Sequence, residues 1–324
     1  MKFIIILLSL FLMLSCQKNT QTGKKNTGIS KKNVQVGLVS SLNFFAMGTP
    51  LSIKYISNKK NKALEKKIIN FINKFDKENS FYKKNSYISQ INNLNDNEEI
   101  KVPLYFCNLL KNSKDYLIKT EGKFNITYKS PKKFRNFNNL QINCKKDSNN
   151  EFNSVIKVIK KGTILDTGGI AKGLAIDKTG DLLKKEGYNN FLINYGGDIL
   201  VCGKKPNKKW KIGIKNPLNP SKLLKVISKN SSSCYSIATS GDYERYTVKN
   251  GKKLSHIINP KTGKSINGAH SITVIAKNAS LADTLATAIS VGHKDKTYIK
   301  RMKDKFNLEV YLLTGKDLRL REIK

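Results

Sequence analysis

The chain has 324 residues, with 60 Lys and Arg against 23 Asp and Glu, a formal net charge of +37 and 39% hydrophobic residues. That length suits one large domain or two modest ones, and the composition excludes a collagen-like chain, a multi-span membrane protein and a small disulfide scaffold. The charge is carried mainly by Lys, in pairs spread from 24–25 to 252–253. Without Arg forks or interleaved aromatics, this reads as a solvated lysine-rich surface and not as a nucleic-acid interface.

The N-terminus reads as an address. Met1-Lys2 is followed by an apolar run from Phe3 to Leu14 and then Ser15-Cys16-Gln17, which is a charged start, a short apolar region and a small residue before a cut. The run is too short for a comfortable membrane span. Met13-Leu14-Ser15-Cys16 resembles a bacterial lipobox, with Cys16 as the lipidated residue; an ordinary secretory signal with an incidental Cys is the alternative. Residues 1–15 are thus expected to form a lipoprotein signal, 16–40 a flexible tether and 41–324 one domain. Cys107, Cys144, Cys202 and Cys234 are dispersed without a C-x-x-C pair, so a zinc site is not expected. Buried free thiols are the default reading, although export permits disulfides.

Phe44 to Ile56 reads as a strand broken by a turn around Met47-Gly48-Thr49-Pro50. Ala63 to Phe75 carries apolar residues on a helical period. Ser86 to Asn92 reads as a short helix or turn, Pro103 to Thr120 as a helix, and polar Ser130 to Asn153 as a loop. A short apolar run from Gly162 ends at Asp166; Gly168-Gly169 follows, and a helix is expected from Ile170 to Glu186. Glycines at a helix start let a ligand approach the backbone, where unpaired N–H groups favour phosphate, and Lys172 adds positive charge there. Strands are expected at Phe191–Asn194, before Tyr195-Gly196-Gly197-Asp198, at Trp210–Ile214, from Ile237 towards Ser240-Gly241-Asp242-Tyr243, and at Ser271–Ala276. A last helix spans Ser280 to Val291.

Asp283 and Thr287 stand four apart on that helix, so carboxylate and hydroxyl share a face and suit a hard cation such as Mg2+. Ser280-Leu-Ala-Asp283 equally fits a capping box, in which Asp283 only satisfies the helix start. His256 lies among apolar neighbours before the turn Lys261-Thr262-Gly263, a context more often structural than catalytic. The serine-hydrolase elbow and the Walker A motif are absent.

Taken in order, Met47-Gly48-Thr49, Phe81-Tyr82 with Ser86–Asn92, Asp166–Asp177, Asn194–Asp198, Ser240–Tyr243, Ser255–Pro260 with Gly263, and Ala282–Thr287 resemble the ApbE family of FAD:protein FMN transferases, over roughly residues 40 to 300. The resemblance implies an α/β (α+β) fold, a single catalytic domain of mixed β-sheets flanked by helices. It also implies cleavage of FAD with release of AMP and attachment of FMN by a phosphoester to Thr or Ser of a target protein. Asp283 and Thr287, with a carbonyl near Gly169, would hold Mg2+. Met47, Tyr82, Phe124, Asn125, Asp166, Lys172 and Ile258 would line the FAD site, and His256 would take the acceptor proton. Implied partners are FAD, acceptor proteins in membrane electron-transfer complexes of the Na-pumping NADH:quinone reductase or Rnf type, and the periplasmic face of a membrane through the lipid anchor. No nucleic acid is expected.

The chain departs from the family pattern in four places. Asn125 and Asn259 stand where the family has Asp, Tyr128-Lys129-Ser130-Pro131 replaces Val-Gly-Pro-Leu, and the Trp-Gly-Phe type element that follows is not recognisable. Each Asn keeps hydrogen-bonding capacity but loses a charge. Two alternative functions follow, a FAD pyrophosphatase yielding FMN and AMP and a non-catalytic FAD-binding lipoprotein.

Overall fold

The computed structural model describes residues 37–145, 153–217, 219–229, 233–241, 246–249, 252–314 and 319–323. Cys16, the signal and most of the tether lie outside them, as do Asp242 and Tyr243. The first strand, β1 (Leu38–Ala46), begins inside the stretch assigned to the tether and pairs with β2 (Thr49–Ser57). The turn between them is Met47-Gly48, with φ of 48° and 71°. Positive φ at both central residues is the two-residue hairpin geometry whose twist matches the flanking strands.

Four helices follow their predicted places: α1 (Lys62–Asn79), α2 (Tyr87–Asn93), α3 (Leu104–Lys119) and α4 (Ala171–Lys185). β3 (Glu99–Val102), β4 (Leu140–Asn143) and β5 (Ser154–Val158) form a small sheet in the order β3-β5-β4. β4 therefore lies inside the stretch read as a loop. Its four residues alternate too briefly among Lys and Asn to signal a strand, and pairing with β5 stabilises it. Leu140, Ile156 and Val158 of this sheet pack with Phe106 and Leu110 of α3.

The main sheet has eight strands in the order β1-β2-β6-β7-β10-β13-β14-β15. Beyond β1 and β2 it contains β6 (Phe191–Tyr195), β7 (Asp198–Cys202), β10 (Tyr235–Ser240), β13 (Ser271–Ala276), β14 (Glu309–Leu313) and β15 (Leu320–Glu322). Every neighbouring pair in it is antiparallel. On one face, Ile53, Tyr55 and Ile193 pack against Ile68 and Ile72 of α1 and Ile176 and Leu183 of α4. Farther along, Ile272, Val274 and Val310 pack against α5 (Ala279–Val291) and α6 (Lys296–Phe306). The other face carries Val201, Ile237 and Tyr311, covered by Ile212, Ile214 and Ile227 of the hairpin β8 (Ile212–Asn216) and β9 (Asn219–Ile227). A separate hairpin, β11 (Tyr246–Lys249) and β12 (Lys252–Ser255), leads to His256. Among the described residues no helix is long and apolar enough to cross a membrane.

The cysteines depart from the free-thiol reading. Cys107 pairs with Cys144 and Cys202 with Cys234. Both pairings join residues more than 30 apart in sequence, so they depend on the α3–β4 and β7–β10 packing and not on any local spacing.

Candidate active site

The site grows from the crossing of α4 and α5. A Cβ on Gly173 would stand 2.4 Å from the Ala279 carbonyl oxygen and 2.6 Å from Ser280 Cα, so only glycine lets the two helix starts approach this closely. Each helix then caps the other. Asp177 of α4 accepts from the Ala279 and Ser280 N–H groups at 2.7 and 2.9 Å and from the Ser280 hydroxyl at 2.6 Å. Asp283 of α5 accepts from the Gly173 N–H at 3.1 Å. The exchange satisfies donors that a helix start leaves without intrahelical partners. Burial is the main influence on Asp177, raising its pKa above the usual carboxylate range against the lowering effect of those hydrogen bonds.

The capping-box reading of Asp283 is thereby resolved. The N-cap of α5 is Asn278, whose side chain accepts from the Leu281 N–H at 2.9 Å. Asp283 serves the neighbouring helix instead and is only 4% exposed. Its second oxygen lies 3.8 Å from the ammonium of Lys172, which is paired with Asp198 at the start of β7. Asp198, 2% exposed, is a site residue that the sequence does not single out by itself. Its one local signal is a carboxylate directly after Gly-Gly at a strand start. Two buried carboxylates thus face one ammonium and leave an excess negative charge.

One turn farther along α5, Thr287 lies beside Gly169. A Cβ on Gly169 would meet Phe124 Cε2 at 3.1 Å and Thr287 Oγ1 at 3.3 Å, so these three predicted residues converge. Among the described residues no group of three or more His, Cys, Asp or Glu forms a metal cage. The residues that could hold a metal are Asp283, Thr287 and the Gly169 carbonyl. Such a hard-oxygen set fits a cation that leaves positions to water and phosphate, and the excess buried negative charge fits it too.

The approach to α4 is pinned by side chains, which explains why the apolar run ending at Asp166 joins no sheet. The Asn92 amide accepts from Leu165 N–H at 2.8 Å and donates to its carbonyl at 3.0 Å. The Ser130 hydroxyl accepts from Ile164 N–H at 2.8 Å, and Asp166 N–H donates to the Ile126 carbonyl at 2.7 Å. The Asp166 carboxylate accepts from the Tyr128 hydroxyl at 2.9 Å and from Gly168 N–H at 2.9 Å, and pairs with Lys129 at 2.9 Å. Burial first, and then the Asp166 charge, push the Tyr128 phenol well above its ordinary pKa. Lys129 also lies 3.7 Å from the Phe81 ring centroid, next to Tyr82, which is 88% exposed. The departing Tyr128-Lys129-Ser130 segment is thus built into the Asp166 cluster, a role the sequence comparison did not reveal.

Asn125 is buried and turns its carbonyl oxygen to Thr127, accepting from the N–H at 2.8 Å and the hydroxyl at 2.7 Å. Met47 sits in the β1–β2 turn, two residues from Thr49. A Cβ on Gly196 would stand 2.3 Å from Thr49 Oγ1, so this turn packs on the one before Asp198.

His256 and Ile258 belong to a different element, neither α4 nor α5. His256 is exposed between buried Ser255 and Ile257. Ile258 bridges to Ser265, and Asn259 accepts from the Lys261 and Thr262 N–H groups at 2.9 and 3.3 Å. Arg135 ties this segment to the Asp166 approach: it donates to the Pro260 carbonyl at 2.6 Å and to the Ser130 carbonyl at 3.2 and 3.1 Å.

The ApbE family profile matches residues 47–312, a span that contains every predicted site residue except Cys16. The chain is 30% identical over 308 residues to the FAD:protein FMN transferase of Haemophilus influenzae, covering 86% of this chain and 87% of that protein. It is 29% identical over 266 residues to the FAD:protein FMN transferase of Vibrio cholerae, covering 76% and 79%. Among solved structures, the ApbE protein of Thermotoga maritima superimposes with a TM-score of 0.75 at 27% identity, covering 88% of this chain and 97% of that one. A mutant of the Vibrio cholerae flavin transferase ApbE gives 0.73 at 25%, covering 88% and 96%. With its mixed α/β architecture and antiparallel main sheet, the chain belongs to the ApbE family.

Proposed function

We propose that this chain is a FAD:protein FMN transferase that depends on Mg2+ and releases AMP. The observation that carries the reading is the α4–α5 crossing, which gathers Lys172, Asp283, Gly169 and Thr287 in a chain whose relatives bear that name. An acceptor Thr or Ser hydroxyl attacks the FMN phosphorus of FAD. The new O–P bond forms as the pyrophosphate P–O bond breaks, and AMP departs with the electron pair. His256 takes the hydroxyl proton, a role its exposed position on the 256–260 segment suits, since the acceptor is itself a protein. Asp283, Thr287 and the Gly169 carbonyl would hold Mg2+, which supplies charge neutralisation to the reacting phosphates. Lys172, paired with Asp198 and 3.8 Å from Asp283, adds an N–H donor beside that position.

The lipid anchor at Cys16 and a periplasmic location belong to the same reading. The apolar N-terminus supports them, as do two disulfides suited to an oxidising compartment. Flavin-carrying domains of membrane electron-transfer complexes are the proposed acceptors.

Intact-mass spectrometry tests the proposal. The purified protein is mixed with FAD, Mg2+ and a competent acceptor domain bearing a Thr/Ser flavinylation site. An FMN-sized gain on the acceptor, lost with EDTA, is the expected result. FMN and AMP without an adduct would identify a pyrophosphatase, and unchanged bound FAD a carrier.

A further inference from the structure

We propose that Asp198 is a positioning residue: it holds the Lys172 ammonium off Asp283 and so keeps the Asp283 carboxylate open to a cation. This rests on the reading of Asp283 as a metal ligand. Lys172 reaches two buried carboxylates on different elements, and its contacts with them are unequal. It forms a direct hydrogen-bonded ion pair with Asp198 but stands 3.8 Å from Asp283. Both carboxylates are anchored from elsewhere, Asp198 by the Thr239 N–H at 3.4 Å and Asp283 by the Gly173 N–H at 3.1 Å.

Lys172 has the long flexible stem, and its side chain is 25% exposed, so it is the member that can move. Without the charge at position 198, Asp283 is the anionic partner left to it in this cluster. A partly buried ammonium does not stay unpaired when a carboxylate is within reach. Lys172 then covers the oxygen that a cation needs. Asp198 thus acts on the metal position through Lys172, while the lysine stays beside the reacting phosphates.

A double-mutant cycle read by metal binding tests this. Mn2+, which accepts the same hard-oxygen ligands, is titrated into the protein without FAD, and the free ion is counted by its EPR signal. Asp198→Asn keeps an oxygen for the Thr239 N–H but loses the charge, and is expected to weaken Mn2+ binding about tenfold. Lys172→Met alone is expected to change it by less than about threefold, because Asp198 already neutralises that ammonium. Lys172→Met added to Asp198→Asn is expected to restore binding to within about threefold of wild type.

Equal effects of Lys172→Met in both backgrounds would overturn the proposal, since the two residues would then act independently. A wild-type protein that takes up no Mn2+ would instead remove the metal reading itself, and this inference with it. Thermal melts check the fold of each variant. If Asp198→Asn melts early, Asp198→Ser is carried through the same cycle, with the same outcomes deciding.

Discussion

The α4–α5 crossing and the segment from His256 to Ile266 both supply candidate site residues, and they are held in place by different means. At the crossing, buried carboxylates, a lysine and a glycine contact fix the positions from both helices. At the segment, buried Ile257 and Ile266, backbone pairing between 257–259 and 264–266, a side-chain turn at Asn259 and the Arg135 bridge hold a stretch whose histidine is exposed. The first arrangement suits groups that must hold charge at a fixed point. The second suits a residue that must meet another protein. Variants of the buried helix contacts at the crossing should therefore damage stability and binding together, whereas loss of the exposed His256 imidazole should damage transfer alone.

The largest expected effect is at His256. His256→Ala should slow transfer about 10²–10⁴-fold, the usual range for a lost general base, while melting temperature and FAD binding stay at wild-type values. A fall in melting temperature would mean that the segment has a structural role and that the contrast is overdrawn. Next comes Gly173→Ala, whose added methyl overlaps backbone atoms that cannot move aside. It should cost about 3 kcal/mol in denaturant unfolding and weaken Mn2+ binding in the same variant.

Asp177→Asn should cost about 1–2 kcal/mol through the weakened cap on α5. Its pH dependence has a definite sign. A carboxyl whose folded pKa is raised binds more protons in the folded state, so its stabilising contribution is fully present below the unfolded pKa. That contribution is lost as pH rises through the raised folded value. The stability gap between wild type and Asp177→Asn should therefore be widest at the acid end and narrow towards neutral pH, as melts across that range will show. The smallest effect is expected at Asn259→Asp. The carboxylate still accepts from the Lys261 and Thr262 N–H groups, so stability should move by less than about 0.5 kcal/mol.

The departures from the family pattern gain physical content from these regions. Asn125 and Asn259 each use the side-chain carbonyl oxygen to close a local turn, work that an amide does as well as a carboxylate. Tyr128 and Lys129 replace small and apolar residues, yet both converge on Asp166. Nothing in the local sequence announced this, because Asp166 is 38 residues from Tyr128.

What the sequence determined by itself is local. The helical period of Ala63 to Phe75 marks α1, and the segments read as helices at Pro103–Thr120, Ile170–Glu186 and Ser280–Val291 lie within a few residues of α3, α4 and α5. Glycine marks the turns at Met47-Gly48 and Lys261-Thr262-Gly263, and the order of short motifs points to the family. The tertiary structure decided which strands pair, which cysteines join, and which donor Asp283 serves. It also made Asp198 the partner of Lys172. The physical reason is separation along the chain: Gly173 and Asp283 are 110 residues apart, and Lys172 and Asp198 are 26 apart. Periodicity reports which face of an element is apolar, but it carries no record of the element that face will meet. At the α4–α5 crossing the partner is selected by the absence of a Cβ at Gly173 and by buried charges that need one another, which only the packed chain brings together.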